Sequence, residues 1–211
     1  MYKVEADPDL LADLYEAGTL GVIEHDGWLE AFFEDRDSAA KFGEPTEAPD
    51  VDWVKQTQDA WPPVLVGEKF FLVAPWRTEP TPQGRFRLEI NPGQQCGTGQ
   101  HPCTQKCLAA MERIVKPGDS VLDVGSGSGI LSIAAKLLGA SRVIACDIDP
   151  EASVDFVGSV DAVRDNSFDV VVANINEEVI GSMRPDFERV ARRRILSGFQ
   201  DDDGVWTCIV D

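Results

Sequence analysis

The 211-residue chain predicts an α/β fold: a doubly wound parallel sheet preceded by a small α+β unit. Three observations carry this prediction. From Asp119 onward, apolar β-branched runs alternate with helix-like runs ("SVLDVG", "GILSIAAKLLGA", "RVIACDID", "FDVVVANI"). That rhythm belongs to parallel sheets covered on both faces. A glycine-rich stretch, Gly125-Ser126-Gly127-Ser128-Gly129, sits where the first of those strands meets a helix. The first fifty or so residues follow a different pattern, a short helix and then a hairpin.

In chain order, "PDLLADLYEAG" (residues 8–18) predicts a short helix. Pro8 suits its first turn, Leu10, Leu11 and Leu14 recur at helical spacing, and Gly18 ends it. Asp26-Gly27 between two apolar runs signals a hairpin. "GEPTEAPD" (residues 43–50) reads as a linker. "VDWVKQTQDAWPPVLVG" predicts a helix stopped by Pro62-Pro63. "FFLVAPW" and "RFRLEI", flanking the turn-rich "RTEPTPQG", predict a β-hairpin. A Gly-rich loop then leads into a helix from about Pro102 to Val115, closed by Pro117-Gly118. The domain division expected is 1–48 for the α+β unit, 49–66 for linker and linker helix, and 67–211 for the sheet domain.

Three joins in the second half are short for parallel crossovers, which need about a dozen residues. They lie between Asp147 and Val154, at the helix-to-strand passage in "RVARRRILSGF", and between "LSGF" and "VWTCIVD". The expectation is that surface segments are missing there, which Cα–Cα steps longer than ~3.8 Å would reveal. On this reading, Ala191 to Arg194 mark a junction and not a basic patch.

Composition narrows the function. Thirty-seven acids against nineteen bases give a net charge of −18. Such a surface repels nucleic acid and anionic lipid and suits a basic partner, although solubility alone also accounts for it. No apolar run reaches membrane-spanning length, and the acidic start lacks a signal region. Five cysteines, an odd count, then argue for reduced thiols in a cytoplasm. Cys96, His101, Cys103 and Cys107 cluster without a C-x-x-C pair, so no metal site is assigned.

The glycine loop lets a ligand approach the backbone closely. Its spacing, Gly125, Gly127, Gly129, departs from the dinucleotide fingerprint, and position 130 is Ile. Asp123 precedes the loop inside the strand. Asp147 closes the next strand, where a carboxylate can accept both hydroxyls of a ribose. The alternative is a purely structural turn. Asn174 ends the strand "FDVVVAN", at the edge where doubly wound sheets bind ligands. An Asn there also serves as a helix cap.

Four segments occur in order: "NPGQQCGTGQHPCT", "DVGSGSGIL", "DIDP" and "ANI". Together they resemble the PrmA family of ribosomal protein L11 methyltransferases over most of the chain from Val51 on. The resemblance implies a Rossmann-like methyltransferase domain after a small ferredoxin-like substrate-recognition domain, here starting inside or after its first strand. It implies S-adenosylmethionine as cofactor, with Thr104, Gly125, Gly127, Gly129, Asp147, Ile148 and Asn174 in the cofactor site. Asn174 and Thr98 would serve the transfer itself, and Thr98 and Gly99 would fold over the cofactor or the substrate amine. The implied reaction is methyl transfer to a lysine ε-amine and/or an α-amine of a basic ribosomal protein in the cytoplasm, with no direct nucleic-acid or membrane contact. His101 is a candidate base, a loop histidine bonded to backbone being the alternative.

Departures from the family pattern are Cys96 for an aromatic, Cys103 for a threonine, and Asn176 where leucine is common. Small-molecule or other protein methylation and an inactive cofactor-binding module stay open. Glutamine- and adenine-type methyltransferases are disfavoured by "NINE" in place of an N-P-P-aromatic segment, and a nicotinamide oxidoreductase by Ile130.

Overall fold

The computed structural model describes residues 1–48, 55, 58, 59, 61–92, 98–201 and 203–211. The chain divides into two compact units, Met1–Ala60 and Trp61–Asp211.

The first unit runs β1 (Tyr2–Ala6), α1 (Leu11–Glu16), β2 (Gly21–His25), β3 (Trp28–Phe33), α2 (Arg36–Ala39) and β4 (Thr46–Glu47). The helix expected at 8–18 is a 3-10 turn, Pro8–Leu10, leading into α1. Asp7 caps that turn by accepting from the Asp9 N–H, and Gly18 ends the segment at φ 80°. Asp26-Gly27 makes the two-residue hairpin turn, with His25 opposite Trp28. The sheet order is β2-β3-β1-β4, antiparallel throughout. A β-α-β-β-α-β chain in this order is the ferredoxin-like arrangement. Tyr2–Ala6 supplies a strand paired on both sides. One sequence expectation is corrected here. Thr46–Glu47, read as linker, pairs with Lys3 and Tyr2 as an edge strand. Val4, Leu14, Leu29, Ala31 and Phe33 form the core between sheet and helices. The helix expected before Pro62 lies mostly outside the described residues.

The second unit opens with β5 (Val64–Val66), β6 (Phe70–Val73) and β7 (Phe86–Glu89). The hairpin expected between the β6 and β7 segments is not formed, because these two strands pair parallel. The antiparallel partner of β6 is β5, across a turn at Gly67 (φ 54°). Glu112 accepts from the backbone N–H groups of Glu68 and Lys69 at 2.9 and 2.8 Å and holds that turn. The segment between β6 and β7 is long enough to return to the start of β6. Arg85 reaches back to the Phe70 carbonyl at 2.8 Å. All four β6 residues are buried, as a central strand requires.

The main sheet contains β8 (Ser120–Val124), β9 (Arg142–Asp147), β10 (Phe156–Val157), β11 (Phe168–Asn174), β12 (Ala191–Gln200) and β13 (Trp206–Val210). Its order is β10-β9-β8-β11-β12-β13, parallel except for β13. Helices α3 (Pro102–Ile114), α4 (Ile130–Leu137) and α5 (Glu177–Val190) cover it. Alternation along the strands divides the core by face. Val121, Val170, Val172 and Ile195 face one cluster with α3 and α4 residues such as Met111 and Ala134. Leu122, Val124, Val171, Ala173 and Leu196 face a second cluster with Ile180, Phe187 and Val190 of α5. The doubly wound α/β sheet is therefore present, and its order reverses between β8 and β11.

In the structure each of the three short joins is spanned by the residues present. β10 pairs only with Cys146 and Asp147 at the end of β9, so the connection descends a residue or two and not a whole strand. Asp155 fastens that descent, its N–H donating to the Ala145 carbonyl and its carboxylate accepting from the Ala145 N–H. α5 passes directly into β12 because Ala191 turns the backbone from helical to extended (φ −141°, ψ 153°). β12 and β13 form an antiparallel hairpin, which needs no crossover. At the junction, Arg193 pairs with Asp119 and Arg194 with Asp211, both at 2.7 Å.

Candidate active site

The glycine loop is shaped by left-handed backbone. Gly125, Gly127 and Gly129 have φ of 71°, 52° and 79°, which other residues adopt only at a cost. A Cβ on Gly125 would collide with the Ile175 side chain. The N–H groups of Gly125 and Ser126 donate to the Cys146 carbonyl at 2.9 and 3.2 Å, tying the loop to β9. The Gly127 N–H donates to Oδ2 of Asp147 at 3.0 Å, and the Asp149 N–H to Oδ1 at 3.1 Å. The loop and the carboxylate at the end of β9 therefore orient each other. Gly129 caps α4 without a side-chain bond and is not on the cavity wall.

Beneath the loop, Asp123 is fully buried. Its Oδ2 accepts from the hydroxyls of Ser132 (2.7 Å) and Ser126 (3.0 Å), and its Oδ1 has no partner. Burial pushes its carboxyl up to about 6, against the pull of the two serines. Burial, and then the charges of Asp123 and Asp147, push the neighbouring Cys146 thiol up to about 12.

Asn174 ends β11 facing α3. Its Nδ2 donates to the hydroxyl of buried Thr104 at 2.9 Å. Its Oδ1 is buried and unpartnered, a costly state unless a donor arrives. The cavity between these elements has a volume of about 690 Å³. Thr98, Thr104, Gly125, Gly127, Asp147, Ile148 and Asn174, all singled out in the sequence, line it. Ile148 stands 79% exposed beside Asp147, an apolar residue left in solvent at the rim. Gly99 (φ 85°) packs under the wall against Leu72 and Ile130. The preceding part of its loop, residues 93–97, lies outside the described residues.

His101 and Cys103 also line the cavity. His101 is the N-cap of α3, and its ring meets Trp206 edge-on at 4.4 Å between centroids. Among the described residues, no group of three or more His, Cys, Asp or Glu is arranged to hold a metal.

Sequence reasoning missed Trp206, Ser159, Met183 and Gly198, which also line the wall. Gly198 (φ 111°) interrupts the β12–β13 register, and a Cβ there would overlap the Ile175 backbone carbonyl. An isolated glycine inside a strand run was the available signal, since it marks a bulge or a close backbone approach. The others come from distant segments and carry no local signature.

Comparison with known proteins follows the same lines. The family model described as ribosomal protein L11 methyltransferase (PrmA) matches residues 29–201. Ribosomal protein L11 methyltransferases of Burkholderia lata and Burkholderia mallei are 44% and 43% identical to the chain over 168 residues. Each match covers 72% of this chain and 55% of the relative, so the chain spans about half the length of the curated relatives it matches. The crystal structure of ribosomal protein L11 methylase from Lactobacillus delbrueckii subsp. bulgaricus aligns with a TM-score of 0.56 at 29% identity, over 65% of this chain and 80% of that one. With a family match over most of its length and the glycine loop, Asp147 and Asn174 gathered at one cavity, the chain belongs to the ribosomal protein L11 methyltransferase (PrmA) family.

Proposed function

We propose that the chain is an S-adenosylmethionine-dependent protein methyltransferase acting on amines of a ribosomal protein, L11. The acceptor is a lysine ε-amine and/or an α-amine. One observation carries the reading: a buried Asn174 carbonyl without a donor, on the wall of the cavity that holds the glycine loop and Asp147. The residues fit the cofactor. Asp147 offers a carboxylate to ribose hydroxyls, with each oxygen already oriented by a backbone N–H. Gly125 and Gly127 leave room for close approach of the backbone, and Ile148 offers an apolar surface at the rim. S-adenosylmethionine supplies a sulfonium-bound methyl group, whose departure leaves a neutral sulfur.

The protein's own task is then positioning. An amine reacts only without its extra proton, and a largely apolar cavity disfavours the ammonium form. Asn174 Oδ1 accepts a hydrogen bond from the amine and aims its lone pair. Thr104 holds the Asn174 amide so that the oxygen, and not the nitrogen, faces the acceptor. Thr98 closes the loop side of the cavity. The first unit serves substrate recognition, and a basic ribosomal protein suits the acidic chain. A cytoplasmic setting, without direct nucleic-acid or membrane contact, agrees with the charge and the thiols. Among the described residues, no helix is long and apolar enough to cross a membrane.

The test is calorimetric titration with S-adenosylmethionine beside an Asp147→Ala variant, followed by transfer of labelled methyl to purified L11. Binding that falls at least ~30-fold in the variant, about 2 kcal/mol, supports the site. A wild type that binds no cofactor, or binds it and labels no ribosomal protein, overturns the reading.

A further inference from the structure

The cavity also holds a pair of groups to which the proposed transfer assigns no role. Cys103 Sγ lies 2.7 Å from His101 Nδ1. The same Nδ1 accepts the Cys103 backbone N–H at 3.4 Å, as the N-cap of α3. That nitrogen is therefore the ring's acceptor, and the thiol is the donor in the side-chain contact. Cys103 sits in the first turn of a thirteen-residue helix. Trp206 holds the imidazole from the side, and all three residues lie on the cavity wall beside the unpaired carbonyl of Asn174. Cys103 is itself buried, 6% exposed and on the cavity wall, whereas Cys107 and Cys146 are 0% exposed.

We propose that Cys103 is a nucleophilic thiol activated by His101, a modification site within this cavity for small soft carbon electrophiles. The thiol passes its proton to Nδ1, leaving a thiolate beside an imidazolium. The sulfur's electron pair forms a bond to the electrophilic carbon as that carbon's bond to its leaving group breaks. The leaving group departs with the bonding pair, and the imidazolium returns its proton to solvent. With iodoacetamide the products are a thioether and iodide. The substituent takes up cavity volume beside Thr104, the residue that holds Asn174. This inference goes beyond the methyltransferase reading and does not depend on it, since it concerns the pair and the cavity alone.

The test is timed alkylation with iodoacetamide and peptide mapping by mass spectrometry. A Cys96→Ser background leaves one thiol in the tryptic peptide ending at Lys106. The expected result is an adduct at Cys103 forming at least ~10-fold faster than on free cysteine under the same conditions, and slowed at least ~10-fold by His101→Asn. Asparagine keeps a side-chain acceptor at the N-cap while removing the base. Labelling of buried Cys107 reports unfolding; if His101→Asn raises it, His101→Gln takes its place. Cys103 reacting no faster than free cysteine, or equally fast without the imidazole in a folded variant, overturns the proposal.

Discussion

At the residue scale, the proposed reaction makes the Asn174–Thr104 pair the place where holding the cofactor and aiming the acceptor can be separated. Thr104→Val removes the bond that fixes the amide, a loss of about 1 kcal/mol. The expected outcome is methyl transfer slowed ~5-fold with cofactor affinity within ~3-fold of wild type. Asn174→Ala removes the carbonyl altogether and is expected to slow transfer ~100-fold or more. Single-turnover transfer of labelled methyl, read beside calorimetric Kd values, checks both. Asp123 makes a different prediction. Its folded value, about 6, lies above its ordinary 3.8, so the folded state binds the proton more tightly. The stability this lends is full below about pH 4 and is lost as pH rises through about 6, by about 3 kcal/mol in all. Many other carboxylates titrate over the same range, so the comparison is between variants. Urea unfolding is expected to show the stability of Asp123→Asn gaining on that of wild type from pH 4 to pH 7. A constant difference across that range would show that Asp123 is not the titrating group.

At the element scale, the glycine inside β12 is an exacting position. Gly198→Ala places a Cβ on the Ile175 carbonyl at a φ of 111°, and is expected to destabilise by roughly 2–4 kcal/mol in urea unfolding. Arg193→Ala, which removes the pair with Asp119 and a bond to the Ile114 carbonyl, is expected to cost about 1–2 kcal/mol in the same measurement. These elements also show which parts of the fold the sequence announces. Strands with both faces buried, the glycine loop and the helices after them stand out because periodicity and turn chemistry are local. The partner of a strand is not local. "FFLVAPW" pairs with the three residues before its turn, and its parallel neighbour lies across a segment rich in Pro and Thr that reads like a hairpin turn. The short joins turn on the same non-local pairing. A two-residue ladder and an antiparallel last strand need less connecting chain than the parallel crossovers assumed. Trp206 reaches the cavity only through that final pairing, which no pattern within its own segment reveals.

At the scale of the whole molecule, the acidity is unevenly spread. Met1–Ala60 holds sixteen acids against four bases, a net of −12 out of the −18 of the entire chain. A unit so charged draws in a basic protein from solution, whereas the cofactor cavity lies within the other unit. Capture of the protein substrate and binding of the cofactor are therefore expected to respond differently to salt. Raising ionic strength from ~50 to ~300 mM shortens the screening distance roughly from 14 to 6 Å. We expect kcat/KM for a basic ribosomal protein to fall ~10-fold or more over that range, with the cofactor Kd changing less than ~3-fold. Replacing Asp7, Asp9 and Asp13 by Lys reverses three charges outside the buried core of the first unit. It is expected to lower kcat/KM and flatten the salt dependence while leaving cofactor affinity in place. Equal salt slopes for the wild type and the triple variant would remove the steering role from this unit, leaving its charge to account for solubility alone.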